Sequence, residues 1–170
     1  MSKPGPTHAD AKAEVPVTAP RTPQDALKPQ DERREHYGWW ADIPTRWADG
    51  DPYGHANNVV YYSWFDTAVT RMLFERGVIW LPDSPSIGLC VESHCNFLAP
   101  VEFPQTVQAG VRIGKLGDKS IRFEIGLFVE GRETPVAAGY FVHVYVDRAG
   151  RRPLALTPAQ KASVADLIVG

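Results

Sequence analysis

Polar and apolar positions alternate with different periods along the chain, and each change of period marks an element. Residues 1 to about 35 carry almost no apolar weight. After Met1 the only larger aliphatic side chains there are Val15, Val17 and Leu27, and six of the 15 prolines fall within the first 30 residues. Such a stretch cannot bury enough apolar area to offset its ordering entropy. A disordered tail is therefore expected over 1–35 and a folded domain over 36–170. From Tyr37 the texture turns aromatic: Trp39, Trp40, Ile43, Arg46 and Trp47 form a strand-like run, with Pro44 pointing to an edge or a bulge. A turn-rich segment, Asp49-Gly50-Asp51-Pro52-Tyr53-Gly54-His55, follows. Val59 to Arg76 then runs without Pro or Gly and is closed by Gly77, which predicts a helix capped by the Asn57-Asn58 pair. That helix is apolar nearly all round, so it is expected to be buried on several sides, by a sheet or by a second subunit.

The rest of the chain reads as strands. Ile87–Leu98, Thr106–Leu116, Ser120–Glu130 and Val136–Val146 each bear the mark, the middle two with strict alternation (Val107, Ala109, Val111, Ile113; then Ile121, Phe123, Ile125, Leu127). Gly117-Asp118 and Glu130-Gly131 stand at hairpin spacing. Pro158 to Val169 predicts a short amphipathic helix. Strand, buried helix and four antiparallel strands make an α+β layer, one long helix against one sheet. At 170 residues there is room for one domain and a tail.

Charge narrows the function classes. Eighteen Lys+Arg against 20 Asp+Glu leave a net charge of −2, so no overall field draws in nucleic acid. No run approaches the ~20 apolar residues of a membrane span, and no apolar stretch follows the N-terminus as in a secretory signal. Two cysteines do not make a disulfide framework. The expectation is a cytoplasmic protein.

The densest polar cluster is Asp49, Asp51, His55, Asn57 and Asn58, directly ahead of the buried helix. A helix N-terminus offers unpaired N–H groups and positive partial charge, suited to polarising a carbonyl. A carboxylate on the same loop can serve as nucleophile or general base. Capping and Asx-turns account for the same residue types, so both readings stay open. Elsewhere, Cys90 and Cys95 flank His94, but an odd separation of five places the two thiols on opposite faces of a strand, and buried small side chains are the better reading. His143 reads as a packed histidine. Asp49 and Asp51 lack the further acidic run of a calcium or magnesium loop, so no metal is expected. Lys115, Lys119 and Arg122 suit either the phosphates of a nucleotide-bearing thiol or a solvated basic edge. No P-loop, dinucleotide fingerprint or nucleophile elbow is present.

The run Arg46-Trp47-Ala48-Asp49-Gly50-Asp51-Pro52-Tyr53-Gly54-His55-Ala56-Asn57-Asn58, with Tyr61 and Phe65 behind it, resembles the signature of hot-dog-fold acyl-CoA thioesterases of the 4-hydroxybenzoyl-CoA thioesterase family. Pro100 with Phe103, Gly117 before Ser120, and Val146-Asp147 ahead of Gly150-Arg151-Arg152-Pro153 extend the likeness over roughly residues 38–155. The resemblance implies a single domain in which an antiparallel sheet wraps a long central helix. It implies hydrolysis of an acyl-CoA without cofactor, Asp51 being nucleophile or general base and backbone N–H groups near Asn58 polarising the carbonyl. His55 becomes a helper residue or a structural loop histidine, Asp49 a shaper of the loop, and Asn57, Asn58 and Tyr61 the substrate-binding residues. Tyr61 serves equally well as core. Relatives often place an Arg after the helix Ala, whereas Val69 follows Ala68 here. A His-x-Asn-Asn run also occurs in thioesterases acting on acyl carrier protein, so that carrier is one alternative. Hydration or dehydration of an enoyl thioester is another, although its Asp-x-Asn-Pro-x-His motif is one residue longer than the span from Asp51 to His55. A non-catalytic acyl-CoA-binding role on the same fold is the third. The family's sites lie between subunits, which implies a homodimer or homotetramer.

Overall fold

The computed structural model describes residues 28–80 and 82–169. Five strands, β1 (Trp39–Pro44), β2 (Ser86–Phe97), β3 (Thr106–Leu116), β4 (Ser120–Phe128) and β5 (Ala137–Asp147), form one antiparallel sheet in the order β1-β3-β4-β5-β2. The long helix α1 (Asn58–Glu75) lies between β1 and β2 in the chain and packs on one face of the sheet. This is the arrangement the resemblance implied. No helix among the described residues is long and apolar enough to cross a membrane.

Alternation decides which side chains meet the helix. Trp39, Val111, Ile125, Gly139 and Cys95 are cross-strand partners in one row, and Ala41, Ala109, Leu127, Ala137 and Phe97 form the next. Paired residues share a face, so these rows line the inner side. From α1 come Tyr61, Trp64, Phe65, Ala68, Val69, Met72 and Leu73, all buried. They recur at three and four residues and so fall along one flank. The expected burial on several sides is therefore only partly met within one chain: Val59, 65% exposed, and Phe74 stay outside. Gly139 leaves room for the Phe65 ring, which would lie 2.8 Å from a Cβ there.

The outer face is held by a segment that the sequence assigned to the tail. Residues 1–27 lie outside the described ones, but Pro29–Asp31 and Arg34–His36 form short 3-10 turns, the first against β5 and the second joined to β3 by the Arg34–Gln108 bond. Glu32 pairs with both terminal nitrogens of Arg112 at 2.6 and 2.8 Å, and Arg112 also reaches Glu124. The Arg34 guanidinium sits over Trp40 and Phe128. Polar groups spaced among few aliphatics hid this anchoring, because its apolar partners belong to the sheet.

Strand ends moved by one or two residues. The Glu130-Gly131 turn belongs to a longer connection, since β4 ends at Phe128 and β5 begins at Ala137. The C-terminal helix is shorter than expected. It runs over α2 (Pro158–Ala162), and Ala165–Leu167 follows as a separate 3-10 turn. A larger correction concerns β2. A bulge between Cys90 and Glu92 makes Val91 an extra residue, so Cys90 pairs with His143 and Cys95 with Gly139. Both cysteines thereby share the inner face rather than opposing faces, and Cys90 is exposed.

Candidate active site

The loop ahead of α1 is a short, closed hairpin. Gly50 bridges Ala56, the Asp51 N–H donates to the His55 carbonyl at 2.8 Å, and the Gly54 N–H donates to the Asp51 carbonyl at 3.1 Å. Pro52 presets the turn, and Gly54 occupies φ +86, a conformation that side chains resist. The Asp51 carboxylate closes the turn from inside: its Oδ1 accepts from the Tyr53 N–H at 2.9 Å and, less closely, from the His55 N–H. Its Oδ2 has no hydrogen-bond donor among the described residues.

Asp49 has a different task. It is 2% exposed, and both its oxygens are taken by Arg46, one by the guanidinium and the other by the backbone N–H. Its own carbonyl accepts the Asn57 N–H at 2.9 Å. Asp49 thus ties the start of the loop to the start of the helix, as a shaping residue would.

At the helix start the two asparagines part company. Asn57 is the N-cap, its Oδ1 accepting the Val59 N–H at 3.1 Å, and its side chain is spent on the helix. Asn58 lines the cleft, and its backbone N–H has no acceptor among the described residues. The N-terminal partial charge of an 18-residue helix adds to that donor.

Asp51, His55, Ala56, Asn58 and Tyr61 form one side of an open cleft of about 490 Å³, and Phe97, Leu98, Ala99 and Pro100 form the other. The Ala56 N–H donates to the Val101 carbonyl at 2.7 Å and clamps the two sides together. Tyr61 is almost wholly buried, its ring against Trp64 and edge-on to Phe97. Burial, helped by the charge of Asp51, raises its hydroxyl above the ordinary tyrosine value, so the group is an O–H donor at neutral pH. Of the residues singled out in the sequence, the structure gathers Asp51, His55, Asn58 and Tyr61 into the cleft and leaves Asn57 beside it. Phe97 to Ala99 were not legible as site residues. They lie some 40 positions downstream, and only the fold brings them near; Pro100 in the downstream likeness was their one signal.

The other candidates stand apart. Arg122 lies on the outer face, over the Tyr140 ring and bonded to Glu124. His143 is packed between Phe123 and Phe141. Burial pushes the thiol of Cys95 up to about 12, which leaves it unreactive. Among the described residues no three His, Cys, Asp or Glu side chains are grouped as metal ligands would be.

The family described as the thioesterase-like superfamily matches residues 45–164 of the chain. The crystal structure of the PA5185 protein from Pseudomonas aeruginosa strain PAO1 shares 45% identity, over 81% of this chain and 96% of that one, with a TM-score of 0.78. A thioesterase from Thermus thermophilus, crystallised with coenzyme A and zinc, shares 28% identity over 78% and 96% of the two chains, with a TM-score of 0.67. The gentisyl-coenzyme A thioesterase BH1999 shares 25% identity over 74% and 99%, also with a TM-score of 0.67. No curated protein matches the chain.

Proposed function

Because the chain belongs to the thioesterase-like superfamily and is in that sense a thioester hydrolase, we propose that its substrate is an acyl-CoA, cleaved to the free acid and coenzyme A. The observation that carries this reading is the cleft that Asp51, the helix start at Asn58 and Tyr61 line together. A thioester carbonyl set against the helix start would develop its negative charge beside Asn58, where a fixed donor stabilises it without reorganisation. Asp51 then acts in one of two ways. Its carboxylate attacks the carbonyl carbon, expelling the thiolate and leaving a mixed anhydride that water hydrolyses, or it takes a proton from the water that attacks. His55, on the same hairpin, is the nearby group able to return a proton to the departing thiolate.

Two relatives support coenzyme A as the carrier: the Thermus thioesterase bound to it, and the gentisyl-coenzyme A enzyme. The cleft's open mouth also suits a thioester borne by acyl carrier protein. The reading includes a homodimer or homotetramer, since one chain leaves the cleft unwalled on its solvent side and the long strand β2 with a free edge.

The test is thiol release from short, long and aromatic acyl-CoAs, with Asp51→Asn and Asp51→Ala assayed beside the wild type. Both variants should lose roughly 10²-fold or more in kcat while keeping the wild-type circular dichroism spectrum. Equal rates in all three would remove Asp51 from the mechanism. Release from acylated carrier protein alone would change the carrier.

A further inference from the structure

We propose that Glu102 is the positioning residue for His55. The proposal rests on the thioesterase reading and extends it to a residue outside the loop. Glu102 Oε1 lies 3.8 Å from His55 Nε2. That separation is longer than a hydrogen bond and is an ion pair only when the ring is protonated, but catalytic contacts of this kind often tighten when substrate binds.

The backbone carrying Glu102 is unusually well fastened to the site loop. Val101, immediately before it, is fully buried and accepts the Ala56 N–H, next in sequence to His55. On the other side, the side chain of Gln105 accepts the Glu102 N–H at 2.8 Å, and the Gln105 N–H returns a bond to the Glu102 carbonyl at 2.9 Å. The Gln105 carbonyl in turn accepts both the N–H and the hydroxyl of Thr45, at 3.0 and 2.6 Å. Residues 101–105 are thus pinned at both ends of the segment that holds Asp49, Asp51 and His55. That frame fixes the backbone from which the Glu102 carboxylate reaches the imidazole, so only its side-chain rotamers are left to be ordered.

The chemical consequence concerns the tautomer. A carboxylate on the Nε2 side holds the proton there and leaves Nδ1 as the acceptor nitrogen. The imidazole then enters each turnover with a fixed ring plane and with Nδ1 free to take up the proton that it passes to the departing thiolate. Asp51, on the same hairpin, turns its Oδ1 to the backbone N–H of His55.

Nitrogen-15 spectra of His55, recorded where the ring is neutral, test this without any substrate. The wild type should show the Nε2–H form. Glu102→Ala should move toward a mixture, and Glu102→Gln, which keeps a carbonyl acceptor, should restore the wild-type pattern. A wild-type tautomer in Glu102→Ala would overturn the proposal. In thiol release, Glu102→Ala should lower kcat by about tenfold with KM unchanged, and Glu102→Gln should fall between. Unchanged kcat in Glu102→Ala, with Asp51→Asn inactive, sinks the role of Glu102 and leaves the thioesterase reading standing. Absence of hydrolysis by the wild type sinks that reading, while the spectra still decide the pairing of Glu102 with His55.

Discussion

His143 shows how a single residue couples packing to pH. Its ring is stacked against Phe141 and edge-on to Phe123, and Gly88 opposite leaves it room, a Cβ there lying 3.1 Å from Nδ1. Burial lowers the imidazole below its ordinary 6.5, with the charge of Asp66 opposing part of the effect. The folded protein therefore resists a proton that the unfolded chain accepts. Above 6.5 neither form is protonated and the group costs nothing; as pH falls below 6.5 the unfolded state gains a proton and stability declines. His143→Leu should flatten the fall of Tm between about pH 7 and about pH 5 relative to the wild type. Parallel slopes in melting curves would mean that the buried ring charges freely.

Among the elements, the segment over the outer face of the sheet carries the sharpest prediction. Gly110 and Gly126 are cross-strand partners, and the ring of Tyr37 fills the slot they leave. A Cβ at Gly126 would lie 2.5 Å from the Tyr37 ring, so Gly126→Ala should destabilise by about 1–3 kcal/mol through overpacking. Arg112→Met should cost about 3 kcal/mol, because it takes both guanidinium bonds from the buried Glu32 carboxylate and leaves it beside the His36 ring. Adding Glu32→Gln should recover part of that loss. Urea unfolding of the three variants measures these changes. A neutral Arg112→Met would show that the ordered segment is held by its aromatic contacts alone.

For the whole molecule the informative feature is an edge. Among the described residues β2 pairs only with β5, and six consecutive residues, Leu89 to His94, are exposed along it. Long free edges with apolar side chains such as Val91 are sites where sheets pair with another chain. The proposed homo-oligomer would cover this strand. Light scattering should give two or four times the chain mass, and Val91→Lys should reduce it to one. If the wild type is already monomeric, the cleft has to work with one wall open.

How far the sequence reached follows from the range of each interaction. Period-two alternation identified β3 and β4 nearly to the residue, and the Pro- and Gly-free run with its asparagine cap located α1, because those signals are local and repeated. The Asp49 to Asn58 loop was legible for the same reason: turn chemistry and capping are decided within a few residues. Cross-chain consequences were not. One inserted residue at Val91 reversed the expected faces of the cysteines, since register depends on pairing with β5. The anchoring of residues 28–36 depended on Arg112 and Glu124, far along the chain. The far wall of the cleft and the approach of Glu102 to His55 arise only where the end of β2 is folded against the hairpin. Local pattern therefore determined the elements and the candidate chemistry, and long-range packing decided what faces that chemistry, because only packing brings distant side chains within contact distance.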